Sequence, residues 1–199
     1  MPDLREQLQQ LFQGRVCLMG LGNVTYGDDG FGVRLAEALI SSAPAIGTRC
    51  RVIIAGTTPE WLIGPVVDEH SDHVVFLDAV EFGGSPGSVV LLDSDEMAAR
   101  FPQISTHKLS LGLLAKQVEA NGRTKAWLLG VQPESLRLSE ELTPTVQATL
   151  ELLLDLLTGC LRTACPGGRA SSRALTAGTE EGCLGLRGRS PSQATEVMA

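Results

Sequence analysis

Three places in the sequence carry side chains suited to a divalent cation: the adjacent acids Asp28 and Asp29, the acid Asp78, and the imidazole of His107. Two carboxylates and one imidazole would make a site of mixed oxygen and nitrogen ligands, a set that suits nickel or zinc. Three protein ligands leave positions open for water or substrate. Affinity order alone does not select nickel, because copper binds more tightly and zinc competes. Selection would rest on how the metal is presented. Only neutral imidazole ligates, so acid weakens such a site.

Each residue also has a plainer role. Asp28 and Asp29 suit the positive end of a helix, Asp28 the more readily of the two. Asp78 closes an apolar run, where a buried carboxylate is costly without a partner, although a turn at the sheet edge would solvate it. A lone histidine such as His107 often serves as a surface or capping residue. His70 and His73 fall in the polar stretch Asp68-Glu69-His70-Ser71-Asp72-His73, which reads as a solvated loop. Cys17 lies inside a strand-like run and reads as core rather than nucleophile. No G-x-S-x-G nucleophile elbow is present.

The elements that must position these groups follow from the hydrophobic pattern. An amphipathic helix is expected over residues 3–13, with Leu4, Leu8, Leu11 and Phe12 on one side. Arg15–Met19 is the first strand and leads into Gly20-Leu21-Gly22-Asn23. A helix starting at Asp28 or Asp29 continues to about Ile40. Cys50–Ile54 is the second strand, followed by a turn in which Pro59 suits the first turn of a helix. His73–Asp78, nearly all apolar, reads as a strand covered on both faces. The connection to the fourth strand, Ser88–Leu92, is too short for a helical crossover, so strands three and four are expected to be antiparallel. Helices over 93–100 and 107–120, a strand over Lys125–Val131 and a helix over Pro144–Leu157, with Thr143 as its N-cap, complete the pattern.

Strands alternating with helices predict an α/β fold: three layers, with a single twisted, mostly parallel five-stranded sheet and helices on both faces. Ligands of such sheets bind beyond the carboxyl ends of the strands. Asp29, Asp78 and His107 all fall there, and the topology allows them to meet.

A chain of 199 residues with 43% hydrophobic and 20% charged residues suits one globular domain. That domain is expected over residues 1–160. Residues 161–199 are rich in Gly, Ser, Thr, Arg and Ala and read as a disordered low-complexity tail, since they lack the apolar groups to offset their ordering entropy. The net charge of −7 disfavours sequence-blind binding to nucleic acid or anionic membrane. No apolar run is long enough to span a bilayer and no secretory signal opens the chain. Five cysteines, without zinc-knuckle or redox-pair spacing, fit a reducing compartment. The expected location is the cytoplasm.

Gly20-Leu21-Gly22 between a strand and a helix invites comparison with a dinucleotide-binding loop. The third glycine of G-x-G-x-x-G is replaced by Thr25, two acids stand where a pyrophosphate would rest, and no acid for a ribose closes the second strand.

The stretch from Gly20 to Gly32, Gly-Leu-Gly-Asn-Val-Thr-Tyr-Gly-Asp-Asp-Gly-Phe-Gly, closely resembles the opening motif of the hydrogenase maturation proteases. The resemblance continues through Gly56-Thr57-Thr58-Pro59-Glu60, Leu77-Asp78-Ala79, Ser105-Thr106-His107-Lys108-Leu109-Ser110, Gly130-Val131-Gln132-Pro133-Glu134-Ser135 and Leu142-Thr143-Pro144. These blocks keep the family's order and spacing across about residues 14–157.

The resemblance implies an endopeptidase that clips the C-terminal extension from the nickel-loaded precursor of a nickel–iron hydrogenase large subunit. It assigns Asp29, Asp78 and His107 to metal binding and catalysis, the nickel being presented by that precursor rather than held as a resident cofactor. One departure stands out. Many members read Asp-Gly-Gly at the end of the second strand, where this sequence has Ile54-Ala55-Gly56. The same ligands would also serve a non-hydrolytic nickel-binding chaperone or docking module for the same subunit.

Overall fold

The computed structural model describes residues 3–42, 49–101 and 110–164. Its centre is one five-stranded sheet: β1 (Val16–Leu21), β2 (Cys50–Gly56), β3 (His73–Ala79), β4 (Val89–Asp93) and β5 (Lys125–Val131), in the spatial order β2-β1-β3-β5-β4. β2, β1, β3 and β5 are parallel, and β4 closes the edge antiparallel to β5. Every residue of β1 is buried, as both sheet faces are covered.

One face carries α1 (Leu4–Leu11), α2 (Phe31–Ser41) and α6 (Pro144–Ala164), packed on Leu18, Val75, Leu77 and Leu129. The other carries α3 (Glu60–Asp68), α4 (Ser94–Arg100) and α5 (Leu111–Glu119), packed on Met19, Phe76 and Leu128. The three-layer α/β expectation therefore holds. Local signals set several boundaries. Asp3 and Asp93 open α1 and α4 through reciprocal capping boxes with Glu6 and Glu96.

The seating of α2 rests on two glycines. A Cβ on Gly32 would lie 1.9 Å from the Leu77 carbonyl oxygen, and one on Gly20 would lie 2.4 Å from the Gly32 oxygen. The first turn of α2 thus rests directly on the backbones of β1 and β3, which only glycine permits.

Several expectations are corrected. β4 is antiparallel, but its partner is β5, not β3: β5 inserts between them and takes the buried position beside β3. The helix expected from Asp28 or Asp29 is preceded by a separate 3₁₀ turn over Gly27–Gly30, and α2 proper begins at Phe31. α5 starts at Leu111, because Ser110 caps it. α6 continues past Leu157 to Ala164, since Cys160 and Leu161 prolong its buried face. His73 is the first residue of β3, half-buried against Trp127, whose Nε1 donates to His73 Nδ1 at 3.2 Å. His70 is exposed, as expected. Among the described residues no helix is long and apolar enough to cross a membrane.

Candidate functional site

Parallel strands end their crossovers at one edge, and that edge carries the candidate acids. Gly20 of β1 is in register with Leu77 of β3, so the loop leaving β1 and the end of β3 are neighbours. Asp78 follows Leu77, and Asp29 lies three residues before the Gly32 that rests on the Leu77 carbonyl. All three acids are shut away from solvent: Asp28 is 0% exposed, Asp29 2% and Asp78 1%. Their surroundings differ sharply.

Asp28 is fully engaged. Its Oδ2 accepts from the amides of Glu134 and Ser135, each at 2.9 Å, and from the Thr143 hydroxyl at 3.0 Å. Its Oδ1 accepts from the Thr143 amide at 2.7 Å. This acid ties the β1 loop to the loop before α6. It does not cap its own helix, and Thr143 spends its hydroxyl on Asp28. The same two loops are joined by Gly27 N donating to Ser139 O at 2.7 Å and Ser139 N donating to Thr25 O at 3.0 Å.

Asp29 is half engaged. Its Oδ2 accepts from the Asn23 amide at 2.7 Å, while its Oδ1 is buried and has no hydrogen-bond partner among the described residues. A buried carboxylate oxygen without a donor costs free energy, and such an orphan calls for a functional explanation. The acid borders a cavity of about 260 Å³ lined also by Asn23, Tyr26, Thr57 and Leu136. Because the Asn23 amide is committed to Asp29, it is not free to cradle a phosphate, which counts against the dinucleotide comparison.

Asp78 lies at the end of β3, its Oδ1 accepting from the Ala79 amide at 2.9 Å. The loop after it is fixed by Gln132, whose Oε1 accepts from the amides of Phe82, Gly83 and Gly84 at 2.9–3.1 Å. The structure thus brings Asp29 and Asp78 to one sheet edge. His107 lies outside the described residues, and among the described residues alone no three His, Cys, Asp or Glu side chains gather as a metal site.

Carboxylate oxygens are suitable ligands for nickel, and Asp29 Oδ1, which accepts from no donor among the described residues, suits a cation delivered from outside. Cys17, by contrast, is buried within β1, and burial pushes its thiol up to about 12, with Arg51 pulling weakly the other way. It is a core residue.

The residues that finish the site were not singled out in the sequence. Asn23 and Gln132 act by holding loops, and Tyr26, Thr57 and Leu136 by lining the cavity. For Asn23, Tyr26, Thr57 and Gln132 the available signal was their position inside the blocks Gly20–Gly32, Gly56–Glu60 and Gly130–Ser135; Leu136 lies just outside them and carried none.

Comparison with known proteins gives a consistent answer. Residues 33–159 match the family model described as HycI, hydrogenase maturation protease. That span contains Asp78 and His107 and begins just after Asp29. The hydrogenase 2 maturation protease of Escherichia coli K12 is 33% identical over 152 residues, covering 74% of this chain and 91% of that protein. The crystal structure of the [NiFe] hydrogenase maturation protease HycI from Thermococcus kodakarensis KOD1 superposes with a TM-score of 0.69 at 31% identity, covering 78% of this chain and 99% of that one. The hydrogenase maturating endopeptidase HybD from E. coli superposes with a TM-score of 0.63, also at 31% identity, covering 75% and 93%.

Proposed function

The chain belongs to the hydrogenase maturation protease family, and from that premise we propose that it removes the C-terminal extension of a nickel-loaded precursor of a nickel–iron hydrogenase large subunit. The observation that carries the reading is the buried Oδ1 of Asp29, without a hydrogen-bond partner among the described residues, beside a cavity at the carboxyl edge of the sheet.

In this reading nickel arrives as part of the substrate. Asp29 and Asp78 offer it carboxylate oxygens, and His107 supplies the third ligand. Nickel so placed can polarise a peptide carbonyl or activate water. The protein's own contribution is placement. Asn23 fixes the Asp29 carboxylate, Gln132 fixes the loop behind Asp78, and Asp28 locks the cavity wall in position. Holding a scissile peptide beside its activating group supplies much of the acceleration that enzymes of this kind require. Asp29 or Asp78 doubles as the general base that accepts the water proton. The work is done on a soluble precursor in the cytoplasm.

The test is intact-mass spectrometry of a nickel-loaded precursor after incubation with the wild-type protein and with the Asp29→Asn, Asp78→Asn and His107→Ala variants. Loss of a C-terminal peptide with wild type and its retention with the variants is the expected result. Full cleavage by all three variants would sink the mechanism. Binding without any change of mass would favour the chaperone reading. A precursor lacking nickel should be spared.

A further inference from the structure

Among the described residues, eight large apolar side chains stand exposed, and five of them sit at the carboxyl edge of the sheet: Tyr26, Ile54, Trp61, Leu136 and Leu138. Isolated exposed apolar groups need no explanation, but a concentration of them marks an interaction surface. Trp61 and Leu138 are the most open, at 77% and 79% exposure.

The segments that carry them are bound to one another. Gly22 N donates to Gly56 O at 3.0 Å, which joins the β1 loop to the turn between Ile54 and Trp61. Gly27 and Thr25 are bonded to Ser139, next to Leu138, and Asp28 holds Glu134 and Ser135, next to Leu136. Tyr26 and Leu136 also line the Asp29 cavity, so the apolar surface continues into it. Asp29 is the one charged residue among those lining residues.

We propose that these five side chains form a rigid apolar collar that docks the precursor segment next to the scissile bond, and that this segment presents apolar side chains to it. The inference rests on the protease reading and names the chemistry of its substrate. Recognition is by burial of apolar surface on a preformed support, so little ordering entropy is lost on binding. Charge plays a minor part, and affinity is insensitive to salt.

The test combines steady-state cleavage of the nickel-loaded precursor with binding measured by fluorescence anisotropy. Wild type is compared with Trp61→Ser, Leu138→Ser, the double variant, and Leu152→Ser, an exposed residue on α6 away from the collar. The double variant should keep its circular dichroism and kcat while KM and Kd rise about tenfold or more, with no dependence on salt, and Leu152→Ser should match wild type. Unchanged KM and Kd in the double variant overturn the collar. So does a wild-type dimer that the double variant turns into a monomer at unchanged KM, which would assign the surface to a second copy of the chain. A wild type that binds through the collar but never cleaves leaves the collar standing and removes the protease reading. No binding at all removes both.

Discussion

Asp28 and Thr143 are joined by two hydrogen bonds across 115 residues of chain, the Thr143 amide reaching Oδ1 at 2.7 Å and its hydroxyl reaching Oδ2 at 3.0 Å. With the Glu134 and Ser135 amides, the carboxylate receives four donors. In Asp28→Asn one oxygen becomes an NH₂ that faces a donor, and the remaining bonds lose their charge assistance. A loss of about 3 kcal/mol is expected, read as a lower urea midpoint.

Asp29→Asn should behave in the opposite way. Among the described residues the buried Oδ1 has no donor to lose, and the Asn23 amide keeps an oxygen acceptor. Stability should be unchanged within about 1 kcal/mol, or raised, while cleavage of the nickel-loaded precursor falls by about 100-fold or more. Equal losses of stability in the Asp28 and Asp29 variants would contradict the division between a clamp and a working acid.

Gly32→Ala places a methyl group on the Leu77 carbonyl, 1.9 Å from its oxygen. No rotamer relieves this clash, since the added atom is Cβ itself. The variant should lose about 3 kcal/mol or more, or be recovered only as insoluble protein. A soluble, fully active Gly32→Ala would show that α2 can lift from the sheet at little cost.

Burial pushes the His73 imidazole below its ordinary value of 6.5, with the Asp72 carboxylate pulling the other way. Its Nδ1 must stay unprotonated to accept from Trp127. The unfolded chain therefore binds this proton at higher pH than the folded one. The associated stability is complete above 6.5 and is lost as pH falls toward the lower folded value. Asp72, held down chiefly by the Arg15 amide, adds stability above its unfolded value of 3.8 that is lost on further acidification. Urea midpoints measured against pH should show a first decline below 6.5 that His73→Gln removes. Trp127 fluorescence, read in a Trp61→Phe background, should report the same proton.

Cysteine mapping tests the packing. Burial raises the Cys17 and Cys160 thiols, Cys17 to about 12. Iodoacetamide at mildly alkaline pH should leave both unmodified in the folded protein and label them after denaturation.

Patterns confined to neighbours in sequence were readable. The apolar run ending at Asp78 became β3, Lys125–Val131 became β5 without a shift, and the alternation of strands and helices gave the layers. Pairings between distant segments were not. Nothing near Asp28 in sequence announces that its donors come from residues 134–143, so it read as a helix cap. A short β3–β4 connection suggests a hairpin because it carries no sign that β5 will slip between. His73 lay at the junction of a polar stretch and an apolar one, and its Trp127 partner is 54 residues away. The two acids at the sheet edge were legible. The vacancy on Asp29 was not, because it depends on where the Asn23 amide points.

The four-donor clamp on Asp28 also has a consequence for timing during synthesis. Among the described residues its donors belong to residues 134, 135 and 143, more than a hundred residues after the acid itself. While the nascent chain is still on the ribosome with that stretch inside the exit tunnel, the acid lacks its partners and the wall bearing Leu136 does not exist. Proteolytic competence is thereby deferred until residues 134–143 have emerged, and a product stopped before Thr143 would be inert.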